Sequence, residues 1–177
     1  MRVIAGEFRS RRLQSIPGLA TRPTPHRLRE TLFDILGLRV KGAVFLDAYA
    51  GTGAVGIEAI SRGAARAIFI ERNRAAVRVL RENLALLGIE HKAMVVSAPA
   101  LVSMAHQQAD IVFLDPPYDR ESEYAMALKL LGASPAKLVI IQHAARFVLA
   151  ESAGPLKQTR IVRQGDNALS FYSPEER

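Results

Sequence analysis

Five short, almost unbroken apolar runs recur along this chain: "AVFLDAY" from Ala43, "AIFIE" from Ala67, "AMVVS" from Ala93, "DIVFLD" from Asp110 and "KLVIIQH" from Lys137. A strand with one wet face alternates apolar and polar residues, so unbroken runs point to strands covered on both faces. Helical stretches separate them. The clearest, residues 73–88, carries Val77, Leu80, Leu84 and Leu87 along one side and stops at Gly88. Strand and helix in turn predict an α/β fold with a doubly wound, mostly parallel sheet. The tail "TRIVRQGDNALSFY" breaks the rhythm: two strand-like pieces around Gly165-Asp166-Asn167 predict an antiparallel hairpin, for seven strands in all.

A length of 177 residues suits one such domain with a small extension. We expect the domain to cover 24–177 and a basic arm to cover 1–23. Within the arm, "VIA" and "RRLQSI" flank "GEFRS" and read as a short hairpin or extended segment. "TRPTPHRLRETLFDILG" reads as a helix with Thr24 as N-cap, Pro25 in the first turn and Gly37 at its end. Leu28, Leu32, Ile35 and Leu36 form its apolar face.

Charge is concentrated rather than spread. The formal net charge is +7, and residues 1–41 hold nine basic groups against Glu7, Glu30 and Asp34. Eight of the nine are Arg, whose planar fork suits phosphate. A polyanionic partner, nucleic acid, is therefore favoured over a merely solvated surface, and Arg9, Arg11 and Arg12 are the expected RNA contacts. The chain has no Cys, which excludes disulfides and thiolate metal sites and suits a reducing compartment. The N-terminus lacks the apolar core of a signal peptide, and no later run is long enough to span a bilayer. No histidine cluster has metal-ligand spacing, so no metal is expected; His91 and His106 read as surface or loop residues, and His26 and His143 as packing or helix-start residues.

Gly51, Gly53 and Gly56 follow the first apolar run directly and fit a G-x-G-x-x-G turn between strand and helix. Glu71 closes the second run, eighteen residues past Gly53, where a carboxylate can hydrogen-bond both hydroxyls of a ribose. Asp47 lies four residues before Gly51. A carboxylate facing that turn repels pyrophosphate but suits the cationic amino-acid end of S-adenosylmethionine (SAM), which is preferred to NAD on these residues. Ser97-Ala98, closing the third run, falls where an adenine ring would rest.

"DPPY", Asp115 to Tyr118, ends the fourth run at the same edge of the sheet. Asp115 and the Pro116 carbonyl are two acceptors for an exocyclic amine, a poor nucleophile because its lone pair is delocalised into the ring. Accepting its hydrogen bonds draws it toward tetrahedral geometry and offsets the charge that grows as it attacks a sulfonium methyl. Pro116 and Pro117 fix φ and remove competing N–H donors. Tyr118 offers a ring for a flipped base, a stack worth about 1–3 kcal/mol. Similar chemistry serves DNA adenine-N6 and cytosine-N4 methyltransferases, but the acidic first letter of the tetrad and the lack of room for a target-recognition domain disfavour them.

On these motifs the chain resembles the SAM-dependent amino-methyltransferases, and specifically the RsmD family of 16S rRNA guanine-N2 methyltransferases. "MRVIAGEFRSRRL", "TRPTPHRLRETLFDIL", "FLDAYAGTGAVGIEAISRGA", "IERNRAAVRVLRENLALLG" and "IVFLDPPYD" follow in that family's order. The resemblance implies a Rossmann-like class I fold that uses SAM and releases S-adenosyl-L-homocysteine. It implies Asp47, Ala48, Gly51 and Gly53 at the methionine end, Glu71 at the ribose and Ser97-Ala98 at the adenine edge. Arg22, Pro23 and Thr24 would line the entrance, and Asp115 to Tyr118 would form the catalytic loop. It further implies a monomeric cytoplasmic enzyme meeting its rRNA in a small-subunit assembly intermediate. Gln142, where an acid is usual, and Tyr49, where Phe is commoner, depart from the pattern.

Overall fold

The computed structural model describes residues 1–16, 25–117 and 121–175. Its strands are β1 (Val44–Asp47), β2 (Arg66–Ile70), β3 (Ala93–Val96), β4 (Ile111–Leu114), β5 (Leu138–Ala144), β6 (Ser152–Ala153), β7 (Leu156–Gln164) and β8 (Asn167–Pro174). Its α-helices are α1 (His26–Leu36), α2 (Ala54–Ser61), α3 (Arg74–Leu87), α4 (Ala100–Ser103) and α5 (Glu121–Leu131). One sheet runs in the order β3-β2-β1-β4-β5-β8-β7-β6, the first five strands parallel and the last three joined antiparallel.

All five apolar runs are strands of the parallel half, and neighbouring residues in them face opposite layers. Phe45, Phe113 and Ile140 pack under α1 and α2, while Leu46, Val112, Leu114, Val139 and Ile141 pack against α5. This two-sided cover is why the runs of β1, β2, β4 and β5 do not alternate; β3 departs from the expectation, an edge strand with no buried residue and with Met94 47% exposed. The hairpin turns at Gly165, with φ 59°, and Asn167 already pairs with Gln164. The sheet has eight strands rather than seven. The extra one, β6, is two residues long and pairs with Leu156 and Lys157, too short to leave a periodic signal.

The helix boundaries follow their caps. In α3, Asn73 Oδ1 accepts from the Ala75 and Ala76 N–H groups, and Gly88 closes the helix at φ 68°. In α1, Pro25 occupies the N-cap position rather than the first turn and gives no side-chain cap bond. Thr24 lies outside the described residues. Leu28, Leu32, Phe33 and Leu36 are fully buried on α1, each contributing about 2 kcal/mol. Arg29 shares that face at 1% exposed, with one guanidinium nitrogen donating to the Arg2 carbonyl at 2.6 Å. It is therefore not part of the basic surface counted from the sequence. Arg39 likewise closes α1, donating to the Leu36 and Ile35 carbonyls.

The N-terminal segment is a small hairpin. Arg2 bridges Arg12, the Val3 N–H donates to Arg11 O at 3.0 Å, and Leu13 N–H donates to Met1 O at 2.9 Å. Val3 and Leu13 enter the core between α2 and α3, beside Ile57, Ile60, Leu80 and Leu84. Beyond the first strand, the Ile4 and Ala5 N–H groups turn to the buried Glu58 carboxylate at 2.8 and 3.0 Å. Gly6, at φ 84°, lies so close to α2 that a Cβ would stand 1.9 Å from the Ser61 carbonyl oxygen.

Candidate active site

The sheet order reverses between β1 and β4, since β2 and β3 continue on one side and β5 on the other. Connections leave in opposite directions there, and a crevice opens at the strands' carboxyl ends. Both sequence motifs end at this crevice. Asp47 is in register with Phe113, the Ala48 N–H donates to Phe113 O at 2.9 Å, and Asp115 follows two residues on.

The glycine turn is held from beneath. The Gly56 N–H, in the first turn of α2, donates to Asp47 Oδ2 at 2.9 Å. Asp47 is only 2% exposed, and burial pushes its carboxyl up to about 7; the Glu71 charge adds to this, and the Gly56 N–H opposes it. Asp47 therefore braces the turn from inside rather than standing open at its surface. The glycines divide the work. A Cβ at Gly53, where φ is 90°, would lie 2.2 Å from Leu80 Cδ1, and one at Gly56 would lie 2.3 Å from Phe69 Cε1. Those two are required by packing. Gly51, at φ 57°, has nothing within 4 Å of its Cβ position and is the glycine on the open side.

Glu71 ties that open side to the next helix. Its Oε2 accepts from the Gly51 N–H at 2.8 Å and its Oε1 from the Asn73 N–H at 2.7 Å. Each carboxylate oxygen accepts two bonds, so a lone pair on each still suits a vicinal diol. Ala48 is buried against the core. Ser97 is exposed and lines an open groove of about 820 Å³ with Arg74, Val77, Arg81 and Val95, while Ala98 is half-buried beside it.

On the β4 side, Asp115 is half-buried, Pro116 buried and Pro117 exposed. Tyr118, Arg22, Pro23 and Thr24 lie outside the described residues. Arg9, Arg11 and Arg12 are exposed on the arm's outer side, Arg11 reaching the Leu86 carbonyl of α3 at 3.5 Å. His143 is buried: its Nδ1 meets the Ala144 carbonyl at 2.9 Å and its Nε2 the Ser170 hydroxyl at 2.8 Å. A carbonyl only accepts, so Nδ1 carries the proton, and burial lowers the ring's pKa. Gln142 is buried in β5, on the strand that pairs with β8. Among the described residues no cluster of three or more His, Asp or Glu is placed to hold a metal.

Sequence reasoning missed three polar residues that anchor the arm, Glu58, Ser61 and Asn83, of which Asn83 also reaches the cofactor turn. All are buried. Asn83 falls in phase with Leu80, Leu84 and Leu87 on the apolar stripe of α3, and a polar residue in that phase was the available signal. Tyr49 was noted only as a departure from the family pattern; its hydroxyl reaches Glu123 Oε2 of α5 at 2.8 Å and ties the β1 loop to the helix that follows the DPPY loop.

Comparison with known proteins agrees with this geometry. Residues 1–173 match the family model described as "Conserved hypothetical protein 95". YlbH of Bacillus subtilis is 32% identical over 181 residues, covering 97% of this chain and 98% of that protein. The "Ribosomal RNA small subunit methyltransferase D" of Escherichia coli K12 is 43% identical over 122 residues; these span 68% of this chain and 61% of that protein. The solved structure of yhhF from Escherichia coli superposes with a TM-score of 0.86 at 36% identity, covering 99% of this chain and 98% of that one. A family match over nearly the whole length and relatives 32% and 43% identical over the aligned residues place this chain in the RsmD family of methyltransferases.

Proposed function

We propose that this protein transfers a methyl group from SAM to the exocyclic N2 of a guanine in small-subunit rRNA. The observation that carries the reading is the meeting of two motifs across the β1–β4 reversal: the Glu71-braced glycine turn and the Asp115-Pro116 acceptors. The residues present fit the cofactor. Gly51 leaves open space at the turn, Glu71 keeps lone pairs for a ribose, and Asp47, whose carboxyl is pushed up to about 7, offers in its ionised form a counter-charge beneath the cationic amino-acid end. Ala48 and Gly53 shape the same end, with Ser97 and Ala98 at the adenine edge and Arg22, Pro23 and Thr24 at the entrance.

When bound, SAM supplies an electrophilic methyl on a sulfonium. The chain's part is to hold the amine in line and to manage its charge. Asp115 and the Pro116 carbonyl accept hydrogen bonds from the two amine N–H groups and localise the nitrogen lone pair. Asp115 offsets the positive charge that grows on nitrogen and takes the proton shed after transfer. Pro117 keeps the loop rigid, and Tyr118 stacks on the base.

The arm, residues 1–23, serves as the RNA contact, with Arg9, Arg11 and Arg12 gripping phosphates. Its apolar side is anchored in the core while these three face outward, which supports that role. No helix among the described residues is long and apolar enough to cross a membrane. We place the enzyme in the cytoplasm as a monomer acting on a small-subunit assembly intermediate. Titration calorimetry tests the cofactor assignment: SAM and S-adenosyl-L-homocysteine bind and NAD does not. Binding of NAD alone overturns it.

A further inference from the structure

Asn83 sits in α3 at 0% exposed, and its amide makes three hydrogen bonds to two distant segments. Oδ1 accepts from the Gln14 N–H at 2.7 Å, and Nδ2 donates to the Gln14 carbonyl at 3.1 Å. The same Nδ2 donates to the Thr52 carbonyl at 3.0 Å. Gln14 belongs to the arm that carries the exposed arginines. Thr52 is the middle residue of the turn Gly51-Thr52-Gly53, whose Gly51 N–H reaches Glu71 at 2.8 Å. One buried side chain thus holds both backbone groups of an arm residue and one backbone group of the cofactor turn.

We infer that Asn83 is a positioning residue that locks the arm and the cofactor turn into one unit, so that filling the cofactor site steadies the arm for RNA. The inference rests on the cofactor assignment of the turn. Its physical basis is that none of the three bonds can be given up cheaply. Moving Gln14 away leaves an amide donor and acceptor without partners in a buried site, and moving Thr52 strands a carbonyl. The two segments are therefore stable together and costly apart. Reciprocity follows: a ligand that fixes the turn fixes the arm, and RNA that fixes the arm raises affinity for the cofactor by the same factor.

The arm's other hydrogen-bonded anchors run to α2 through Glu58 and Ser61, to α1 through Arg29 and to α3 at Leu86, and these bonds do not touch the turn. That separation makes the role testable. Asn83→Asp keeps the acceptor for the Gln14 N–H but loses both donations. Gln14→Pro removes that N–H and fixes φ, in a residue that meets the turn through Asn83.

Hydrogen exchange at the Gln14 amide of the wild-type protein, with and without S-adenosyl-L-homocysteine, gives a readout that needs no variant; we expect exchange to slow severalfold when the ligand binds. In calorimetry, Asn83→Asp and Gln14→Pro each weaken S-adenosyl-L-homocysteine about tenfold, and the double variant is no weaker than the worse single one. Unchanged exchange at Gln14, or affinities within twofold of wild type, overturns the coupling. Strictly additive losses overturn it too. Failure of the wild-type protein to bind S-adenosyl-L-homocysteine instead overturns the cofactor assignment, and the coupling with it.

Discussion

Replacing Asp47 by Asn separates what the carboxylate does for the fold from what it does for the ligand. Asp47 is buried under the glycine turn, and its carboxyl is pushed from 3.8 to about 7, mainly by loss of water around the charged form. The folded protein thus holds this proton more tightly than the unfolded chain does. Its contribution is favourable at low pH, falls as pH rises from about 4 to about 7, and levels off above that. At 1.36 kcal/mol per pH unit, the whole displacement corresponds to about 4 kcal/mol lost by pH 8, as an upper limit. Asn keeps an oxygen for the Gly56 N–H and carries no charge. We therefore expect Asp47→Asn to match wild type in urea unfolding at about pH 3 and to exceed it at pH 8 by up to about 4 kcal/mol. Affinity for SAM falls in the same variant, by about tenfold, because the cationic end loses its counter-charge. An Asn variant less stable than wild type at pH 8, or a stability difference that ignores pH, refutes the reasoning.

Three further outcomes are expected. Glu71→Ala weakens SAM binding at least tenfold in calorimetry and modestly destabilises the fold, because the Gly51 and Asn73 N–H groups lose their acceptor. Gly56→Ala forces a methyl group to within 2.3 Å of the Phe69 ring and lowers stability by about 1–3 kcal/mol in denaturant titration, with the same circular dichroism signature as wild type. Reversing Arg9, Arg11 and Arg12 to Glu weakens RNA binding and flattens its dependence on salt; binding with the wild-type slope would show that these residues are only a solvated surface.

The parallel half of the fold was legible because its inner strands are buried on both sides, which leaves unbroken apolar runs such as "IVFL" and "LVII"; the edge strand β3 is apolar without that cover. The ends of α3 were legible because Asn73 and Gly88 cap it through local chemistry. β6 was not, since two residues carry no period. Nor did charge counting reveal that Arg29 is buried, because a count ignores that Arg29 lies in phase with Leu32, Phe33 and Leu36 on α1. The glycine turn was located correctly, but its internal division was not: that Gly53 and Gly56 answer to Leu80 and Phe69 is a fact of tertiary contact. The joint through Glu58, Ser61 and Asn83 was missed for the same reason. Its partners are backbone groups 31 to 69 residues away, and backbone groups have no signature in a sequence.

The central claim is methyl transfer to one guanine amine, governed by Asp115. The direct measurement is mass spectrometry of nuclease digests of small-subunit rRNA, taken from particles of a strain lacking this protein and incubated with it and SAM. The account predicts one added methyl on the N2 of a guanine, and none with Asp115→Ala even though that variant still binds S-adenosyl-L-homocysteine. A methyl on adenine or cytosine, or full transfer by Asp115→Ala, would contradict it.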